Sequence, residues 1–291
     1  MMNNKNLAFL GLGAMGFPMA GHLSKAGYPV CVYNRTNTKA VAWKKSYPSG
    51  SYAATPALAA ANADIVLMCV GNDDDVREVV YGENGVLASL KSGATLVDHT
   101  TTSADLAKEL TKACADKGIS FVDAPVSGGQ AGAENGKLTV MCGGESADYQ
   151  VLKPLFDCYA QKHALMGDVG SGQLTKMVNQ ICIAGVVQGL SEAIHFATNA
   201  NLDVNEVIDV ISKGAAQSWQ MENRSSTMVT NEFDFGFAVD WMRKDLNIVL
   251  NEAKKNNSAL PLTALVDQFY AQVQKNGGGR LDTSSLITLL Q

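Results

Sequence analysis

The feature that most constrains this 291-residue chain lies within its first sixteen residues. An apolar run, Leu7-Ala8-Phe9-Leu10, leads directly into Gly11-Leu12-Gly13-Ala14-Met15-Gly16, and a helical pattern follows at once. A short apolar run bounded by glycine reads as a buried strand. Strand, GxGxxG turn and helix together form the opening of a dinucleotide-binding unit. The first glycine permits the tight turn, the second lets backbone approach a pyrophosphate, and the third lets the helix pack close to the strand. Helix N-terminal amides then face the phosphates. Glycine turns are common, so the reading rests on this context rather than on the three glycines alone.

The pattern continues in kind. Strand candidates are Leu7–Leu10, Val30–Tyr33, Ile65–Val70, Thr95–Asp98, Phe121–Asp123 and Leu138–Cys142, short and bounded by Gly, Asp, Asn or Ser. Between them lie the helical stretches Phe17–Ala26, Pro56–Ala61, Val76–Val80 and Ala104–Lys117. Such alternation with right-handed crossovers predicts a mostly parallel, doubly wound sheet. After the GDVGSG segment near residues 167–172 the strand signals fade. Leu174 to about Asn199 reads as one long helix with Met177, Ile181, Ala184, Val187 and Leu190 on one side. Val204–Lys213, Lys244–Asn256 and Pro261–Lys275 follow as helices. The expected fold is therefore α/β, an N-terminal doubly wound Rossmann domain over 1–165 and an all-helical C-terminal domain over 166–291.

Composition narrows the class. Lys plus Arg number 23 against 28 Asp plus Glu, a net charge of −5, which argues against a general nucleic-acid or membrane-surface binder. A hydrophobic fraction of 46% supports a sizeable core. No unbroken apolar run approaches the ~20 residues of a bilayer span, and no secretory cleavage region follows the first residues. The six cysteines lie far apart without a CxxC pair, fitting neither a disulfide framework nor zinc. His22, His99, His163 and His195 have no metal-ligand spacing, so no metal is expected. These features predict a cytoplasmic protein with buried, reduced cysteines.

Cofactor choice turns on the second strand end, Asn34-Arg35-Thr36. NAD-selective sites usually place an acidic residue here, which accepts from the ribose 2′-OH and would repel a 2′-phosphate. Asn34 lacks that charge, while Arg35 and the Thr36 hydroxyl suit a phosphate. NADP is the preferred cofactor, with NAD as the other possibility; against a phosphate role for Arg35 stands the bland alternative of a solvated arginine at a strand end. Ligands of doubly wound sheets sit beyond the carboxyl ends of strands. Cys69, Val70, Gly71, Asn72 and Thr100 are therefore further cofactor candidates. Asp73, Asp74 and Asp75 suit a helix start before Val76, and His99 is expected to be an ordinary loop histidine.

Two more segments carry chemistry. Asp123-Ala124-Pro125-Val126-Ser127-Gly128-Gly129 follows a strand, and its Ser127, Gly128 and Gly129 can form an anion-binding nest for a carboxylate. As a structural turn it would be unremarkable. Gly170-Ser171-Gly172-Gln173-Leu174-Thr175-Lys176-Met177-Val178-Asn179-Gln180 opens the long helix. Lys176, Asn179 and Gln180 are spaced i, i+3, i+4 and share a face. An ordinary solvated face would have the same spacing.

These motifs together, GLGAMGFPMAGHL, DAPVSGG, GSGQLTKMVNQ and Lys244-Asp245-Leu246, resemble in order and over essentially the whole chain the β-hydroxyacid dehydrogenases. That family includes 3-hydroxyisobutyrate dehydrogenases and tartronate semialdehyde (2-hydroxy-3-oxopropionate) reductases. The resemblance implies a catalytic role for Lys176 and substrate-carboxylate binding by Ser127, Gly128 and Gly129. It also implies a substrate-orienting amide at Asn179, and a Lys244 that reaches cofactor and substrate. His22 departs from the family's usual Asn, with an expected effect on packing. Gln180 stands where 3-hydroxyisobutyrate enzymes often have a second Asn, and Asn-Gln looks more like the semialdehyde reductases.

Hydride transfer to an aldehyde leaves an alkoxide that needs a proton, and protonated Lys176 would supply it. In reverse, neutral Lys176 would take the alcohol proton; an ordinary lysine pKa of ~10.4 must then be lowered, by burial or by the oxidised nicotinamide. The expected substrate is a small carboxylate, tartronate-semialdehyde-like. A 3-hydroxyisobutyrate or serine-like hydroxy acid is the nearest alternative, and a non-catalytic NADP-binding scaffold the more remote one. Homodimers or homotetramers are expected from the long apolar helix. Trp219, Met221 and Phe237 are expected to be core more than pocket.

Overall fold

A computed structural model describes residues 5–290. The first strands and helices are β1 (Leu7–Leu10), α1 (Gly16–Lys25), β2 (Val30–Tyr33), α2 (Asn37–Ser46), β3 (Ser51–Tyr52), α3 (Pro56–Ala60), β4 (Ile65–Met68) and α4 (Asp73–Tyr81). Next come β5 (Thr95–Asp98), α5 (Ala104–Ala115), β6 (Ser120–Asp123), β7 (Val126–Ser127), α6 (Gly129–Glu134), β8 (Leu138–Gly143), α7 (Ser146–Phe156) and β9 (Ala160–Gly167). The helices that follow are α8 (Ser171–Asn199), α9 (Val204–Ile211), α10 (Trp219–Val229), α11 (Val239–Asn256) and α12 (Pro261–Lys275). A 3-10 segment, Thr283–Leu289, ends the described chain.

The strands form one sheet in the order β3-β2-β1-β4-β5-β6-β8-β7, with β9 paired to β8. Pairing is parallel from β3 to β6, whereas β6 and β7 pair with β8 antiparallel. The chain order reverses at β1, which opens a crevice at the carboxyl ends of β1 and β4. Alternate residues explain why these strands read as continuous apolar runs. Leu7, Phe9, Ile65, Leu67 and Val97 pack in one core, and Ala8, Leu10, Val66, Met68 and Leu96 in a second. Both faces are covered, as parallel strands require.

The chain divides into two compact units, one through Lys176 and the other from Met177 onward. The first unit thus includes the opening turns of α8. The second is helical, with cores around Ala184, Val187, Val239, Leu246, Val266 and Tyr270, and around Leu190, Ile194, Met221, Met228 and Phe233. Met177, Ala184, Val187 and Leu190 are buried as their spacing predicts, while Ile181, expected on the same side, is half-buried.

Several local expectations are corrected. Helix α4 starts at Asp73, because Asn72 caps it by accepting the Asp75 amide at 2.8 Å. Helix α11 starts at Val239, five residues before Lys244; Ala238 precedes it without a side-chain cap, and the start is marked in sequence by Asp240 in the first turn rather than by a capping residue. Helices α2, α7 and α10 and strands β3 and β9 were not legible as separate elements; β9, for instance, has no fully buried residue and lacks apolar alternation. Trp219 is exposed rather than core, with the Arg224 guanidinium 4.8 Å from its ring centre. The expectation about bilayer spans also changes. Among the described residues α8 is long and apolar enough, by length and composition only, to cross a membrane. Its polar residues are scattered and mostly uncharged, so its mean hydropathy stays high without an unbroken apolar run. Over its most apolar window 39% of the helix is buried inside the protein.

Candidate active site

The three glycines of the first turn answer to different demands. Gly11 sits at φ +94, and a Cβ there would collide with the Cys69 carbonyl. A Cβ on Gly16 would collide with the Gly11 carbonyl and lie 2.9 Å from the Phe9 ring. Gly13, which is exposed, would meet no protein atom within 4 Å. Chain packing accounts for the first and third, while the open space at the second is where a bound pyrophosphate would approach backbone. Leu12 is buried and Ala14 exposed, and Met15 precedes α1 without a side-chain cap. The turn therefore fits a dinucleotide.

Asn34 takes part in a way its sequence position did not disclose. Its Oδ1 accepts the Leu12 amide at 2.8 Å and its Nδ2 donates to the Thr36 carbonyl at 3.0 Å, so it braces the glycine turn from the end of β2. The neighbouring Arg35 side chain is 83% exposed, and its Nη1 lies 3.0 Å from Asp75 Oδ1. A charged pair this open to solvent is worth little, so Arg35 remains available to an incoming anion.

The ends of β4 and β5 are tied together. Thr100 Oγ1 accepts the Val70 amide at 3.0 Å, and the Thr100 amide donates to Asp98 Oδ1 at 2.8 Å. Cys69, Val70, Gly71 and Asn72 are half-buried beside this tie. Burial pushes the Asp98 carboxyl up to about 7, against the lowering effect of its Thr100 hydrogen bonds, and the neighbouring Asp123 raises it further. His99 is no ordinary loop histidine. It is 1% exposed, with Nδ1 2.6 Å from the Ala124 carbonyl and Nε2 2.9 Å from the Tyr159 hydroxyl. Nδ1 therefore donates, Nε2 accepts, and burial lowers the imidazole to about 4.

At the end of β6, Asp123 is fully buried and turned onto the first turn of α8. Its Oδ1 accepts the Gly170 amide at 2.7 Å and its Oδ2 the Gln173 amide at 2.9 Å. Burial raises its pKa to about 6, with hydrogen bonds from the Gly170, Gln173 and Gly172 amides pulling it down. The Gln173 side chain is also fully buried. Its Nε2 donates to the Thr100 carbonyl at 2.8 Å and its Oε1 accepts the Thr102 amide at 3.0 Å. Lys176 follows one turn later and is only 7% exposed. Burial of Lys176 and Gln180 rules out an ordinary solvated face. Ser127 ends β7, and Gly128 and Gly129 follow at φ +127 and +61, backbone that favours glycine. His22 keeps a packing role, its Nε2 2.9 Å from the Ala133 carbonyl on α6.

In the second unit, α8 and α11 share a buried polar chain. Asn179 Nδ2 donates to Gln180 Oε1 at 2.7 Å, and Gln180 Nε2 donates to Asp245 Oδ2 at 2.6 Å. Lys244 Nζ lies 3.0 Å from Asp245 Oδ1. Asp245 is 2% exposed, so its charge is held by these partners rather than by water. Sequence reasoning missed Asp98, Gln173, Asp245 and the clamp made by Asp123. Their one common signal was a polar residue inside or directly beside a motif. Among the described residues no cluster of His, Cys, Asp or Glu could hold a metal ion.

Comparison with known proteins agrees with this geometry. Residues 6–167 match the family model described as the NAD-binding domain of 6-phosphogluconate dehydrogenase. Residues 170–290 match the model described as the NAD-binding region of NADP-dependent 3-hydroxyisobutyrate dehydrogenase. The chain is 61% identical over 285 residues to an uncharacterized oxidoreductase of Shewanella frigidimarina, covering 98% of both chains. It is 35% identical over 285 residues to the 2-hydroxy-3-oxopropionate reductase of Escherichia coli, covering 98% of this chain and 97% of that one. The solved structure of Mycobacterium tuberculosis 3-hydroxyisobutyrate dehydrogenase with L-serine superposes with a TM-score of 0.88 at 27% identity, covering 99% of each chain. Fold, glycine turn and relatives converge: the chain belongs to the β-hydroxyacid dehydrogenase family, NAD(P)-dependent oxidoreductases that act on CH–OH groups.

Proposed function

We propose that this protein interconverts a small semialdehyde or oxo carboxylate, tartronate-semialdehyde-like, and its hydroxy acid, with NADP as the preferred cofactor and Lys176 as the general acid and base. The observation that carries the reading is a lysine buried to 7% exposure one turn beyond a clamped helix start. A lysine is almost never this buried unless its ammonium is paired, so Lys176 is held at a fixed place inside the protein rather than left in solvent. NADPH, when bound, supplies the hydride. Lys176 holds a proton for the oxygen that becomes alkoxide and takes it back in the oxidative direction. Ser127 and the Gly128–Gly129 turn bind the substrate carboxylate, with Asn179 and Gln180 orienting the substrate. Lys244 serves cofactor and substrate from α11, and Arg35 with Thr36 binds the 2′-phosphate.

The likeness to the Escherichia coli reductase supports the semialdehyde reading. A second reading, oxidation of a 3-hydroxyisobutyrate or serine-like acid, is favoured by the L-serine in the Mycobacterium tuberculosis structure. We also propose a cytoplasmic homodimer or homotetramer, without nucleic-acid or membrane partners. The test is NADPH and NADH oxidation across semialdehydes and 2-oxo acids of increasing size, with wild type and Arg35→Ala. The expected result is fastest turnover of tartronate semialdehyde with NADPH. Arg35→Ala should weaken NADPH by roughly tenfold or more, the scale of a lost charge-assisted contact, and NADH little. Equal losses for both cofactors would refute the phosphate role; no turnover of any carbonyl acid would refute the activity.

A further inference from the structure

We infer that Asp123 and Gln173 are positioning residues that set where Lys176 stands, by fastening the first turn of α8 to the carboxyl ends of β5 and β6. This rests on the reading of Lys176 as the proton donor.

A helix start leaves four amides without intrahelical partners, and a carboxylate there meets both the amides and the helix dipole. Most helices take one such bond from a capping side chain. Here one carboxylate spans the turn, with Oδ1 on Gly170 and Oδ2 on Gln173. It comes from a different element 47 residues away in sequence. The fit is tight enough to dictate two glycines. A Cβ on Gly172 would come within 2.7 Å of Asp123 Oδ2, and one on Gly143, across the antiparallel pair from Asp123, within 2.5 Å of Oδ1. Gly170 takes φ +93, so the chain turns its amide onto the carboxylate before the helix starts.

Gln173 supplies a second, independent fastening. Both polar atoms of its amide are used, one on the Thr100 carbonyl and one on the Thr102 amide, just past β5. The two clamps act on the same residue, since the Gln173 amide is held by Asp123 while its side chain is held by the β5 edge. Two anchors on adjacent strands remove the freedom of the turn to roll or slide. Lys176 is three residues on, a rise of about 4.5 Å along the same helix face. Thr100 also bonds the Val70 amide, so the loops that follow β4 and β5 and the lysine helix share one hydrogen-bonded frame. A misplacement of about 1 Å at a reacting group can cost roughly a hundredfold in rate, so a frame of this kind has a functional reason beyond stability.

The test compares wild type, Asp123→Asn, Gln173→Met and Lys176→Ala in the full-length protein with NADPH bound. Three quantities are read: amide hydrogen exchange at residues 170–173, acetylation of Lys176 by acetic anhydride followed by mass spectrometry, and kcat and KM with tartronate semialdehyde. Reaction of the buried Cys114 thiol with a disulfide reagent reports global loosening. In Asp123→Asn and Gln173→Met we expect exchange at 170–173 and acetylation of Lys176 to rise at least fivefold. Cys114 reactivity and NADPH affinity should change less than twofold, and kcat should fall roughly ten- to a hundredfold with little change in KM. Faster exchange without faster Lys176 acetylation overturns the positioning role. So does acetylation that rises only in step with Cys114. If Asp123→Asn fails to fold, Gln173→Met decides by the same readings. Retained turnover in Lys176→Ala would remove the proton-donor reading, while exchange and acetylation would still judge the clamp.

Discussion

Gly172 shows how a single residue in a motif can be dictated by its surroundings rather than by its own conformation. In an exposed helix, Gly→Ala is worth about 1 kcal/mol of stabilisation. At Gly172 the added carbon would collide with the Met141 carbonyl and press within 2.7 Å of Asp123 Oδ2. Overpacking of a filled site costs about 1–3 kcal/mol, and the backbone carbonyl has no side chain to swing aside. Gly172→Ala is therefore expected to lower stability by about 1–3 kcal/mol, read as a lower urea midpoint at unchanged slope. A gain in stability would show that the helix start has room to move. The motif around Gly172 was legible in the sequence; the reason for this glycine was not, because its partners lie on β6 and β8. Asn34 makes the same point. Its missing charge could be read at once, whereas its bonds to Leu12 and Thr36 required the fold.

At the scale of elements, strands β5 and β6 end side by side in two buried acids, Asp98 and Asp123, which are register partners. Their apolar cores were readable from runs such as Leu96-Val97 and Phe121-Val122, since parallel strands covered on both faces carry continuous apolar residues. The burial of the acids that close these strands has no such signal, because a strand-end Asp looks the same in sequence whether buried or solvated. Burial raises Asp98 to about 7 from an ordinary 3.8, so the folded protein holds a proton that the unfolded chain has released. Its contribution is fully present below about pH 4 and is lost as pH rises through 7. Over that window the loss amounts to roughly 4 kcal/mol at about 1.4 kcal/mol per unit. His99, lowered to about 4 from 6.5, works the other way, since its neutral form stabilises above 6.5 and is lost as pH falls through 4. Asp98→Asn removes only the first effect. The stability of this variant relative to wild type should therefore climb between pH 4 and 7 by a few kcal/mol, measured by urea unfolding at each pH. Parallel profiles would contradict the buried-acid account.

At the scale of the molecule, the alternation of strands and helices and its fading after Gly167 were enough to anticipate a doubly wound sheet followed by helices. The antiparallel edge was less legible: β7 has two residues and β9 has no fully buried one, so neither leaves a burial pattern in the sequence. The motif residues follow the same rule. Of those read from backbone demands, Gly11 and Gly16 find their reasons in the packing of the turn, whereas Gly13 faces open space. The bonds of Asp123 and Gln173 that fasten the start of α8, and the Gln180–Asp245 bond within the second unit, join residues far apart in sequence and so left no signal there. On the proposed mechanism the buried lysine on α8 moves the proton. The decisive variant is Lys176→Ala, measured for NADPH affinity by fluorescence and for tartronate semialdehyde reduction in a single turnover. NADPH affinity is expected within about twofold of wild type, with a rate reduced by roughly 10²–10⁴; a variant that binds NADPH and still reduces the substrate at near wild-type rate would exclude Lys176 as the proton donor.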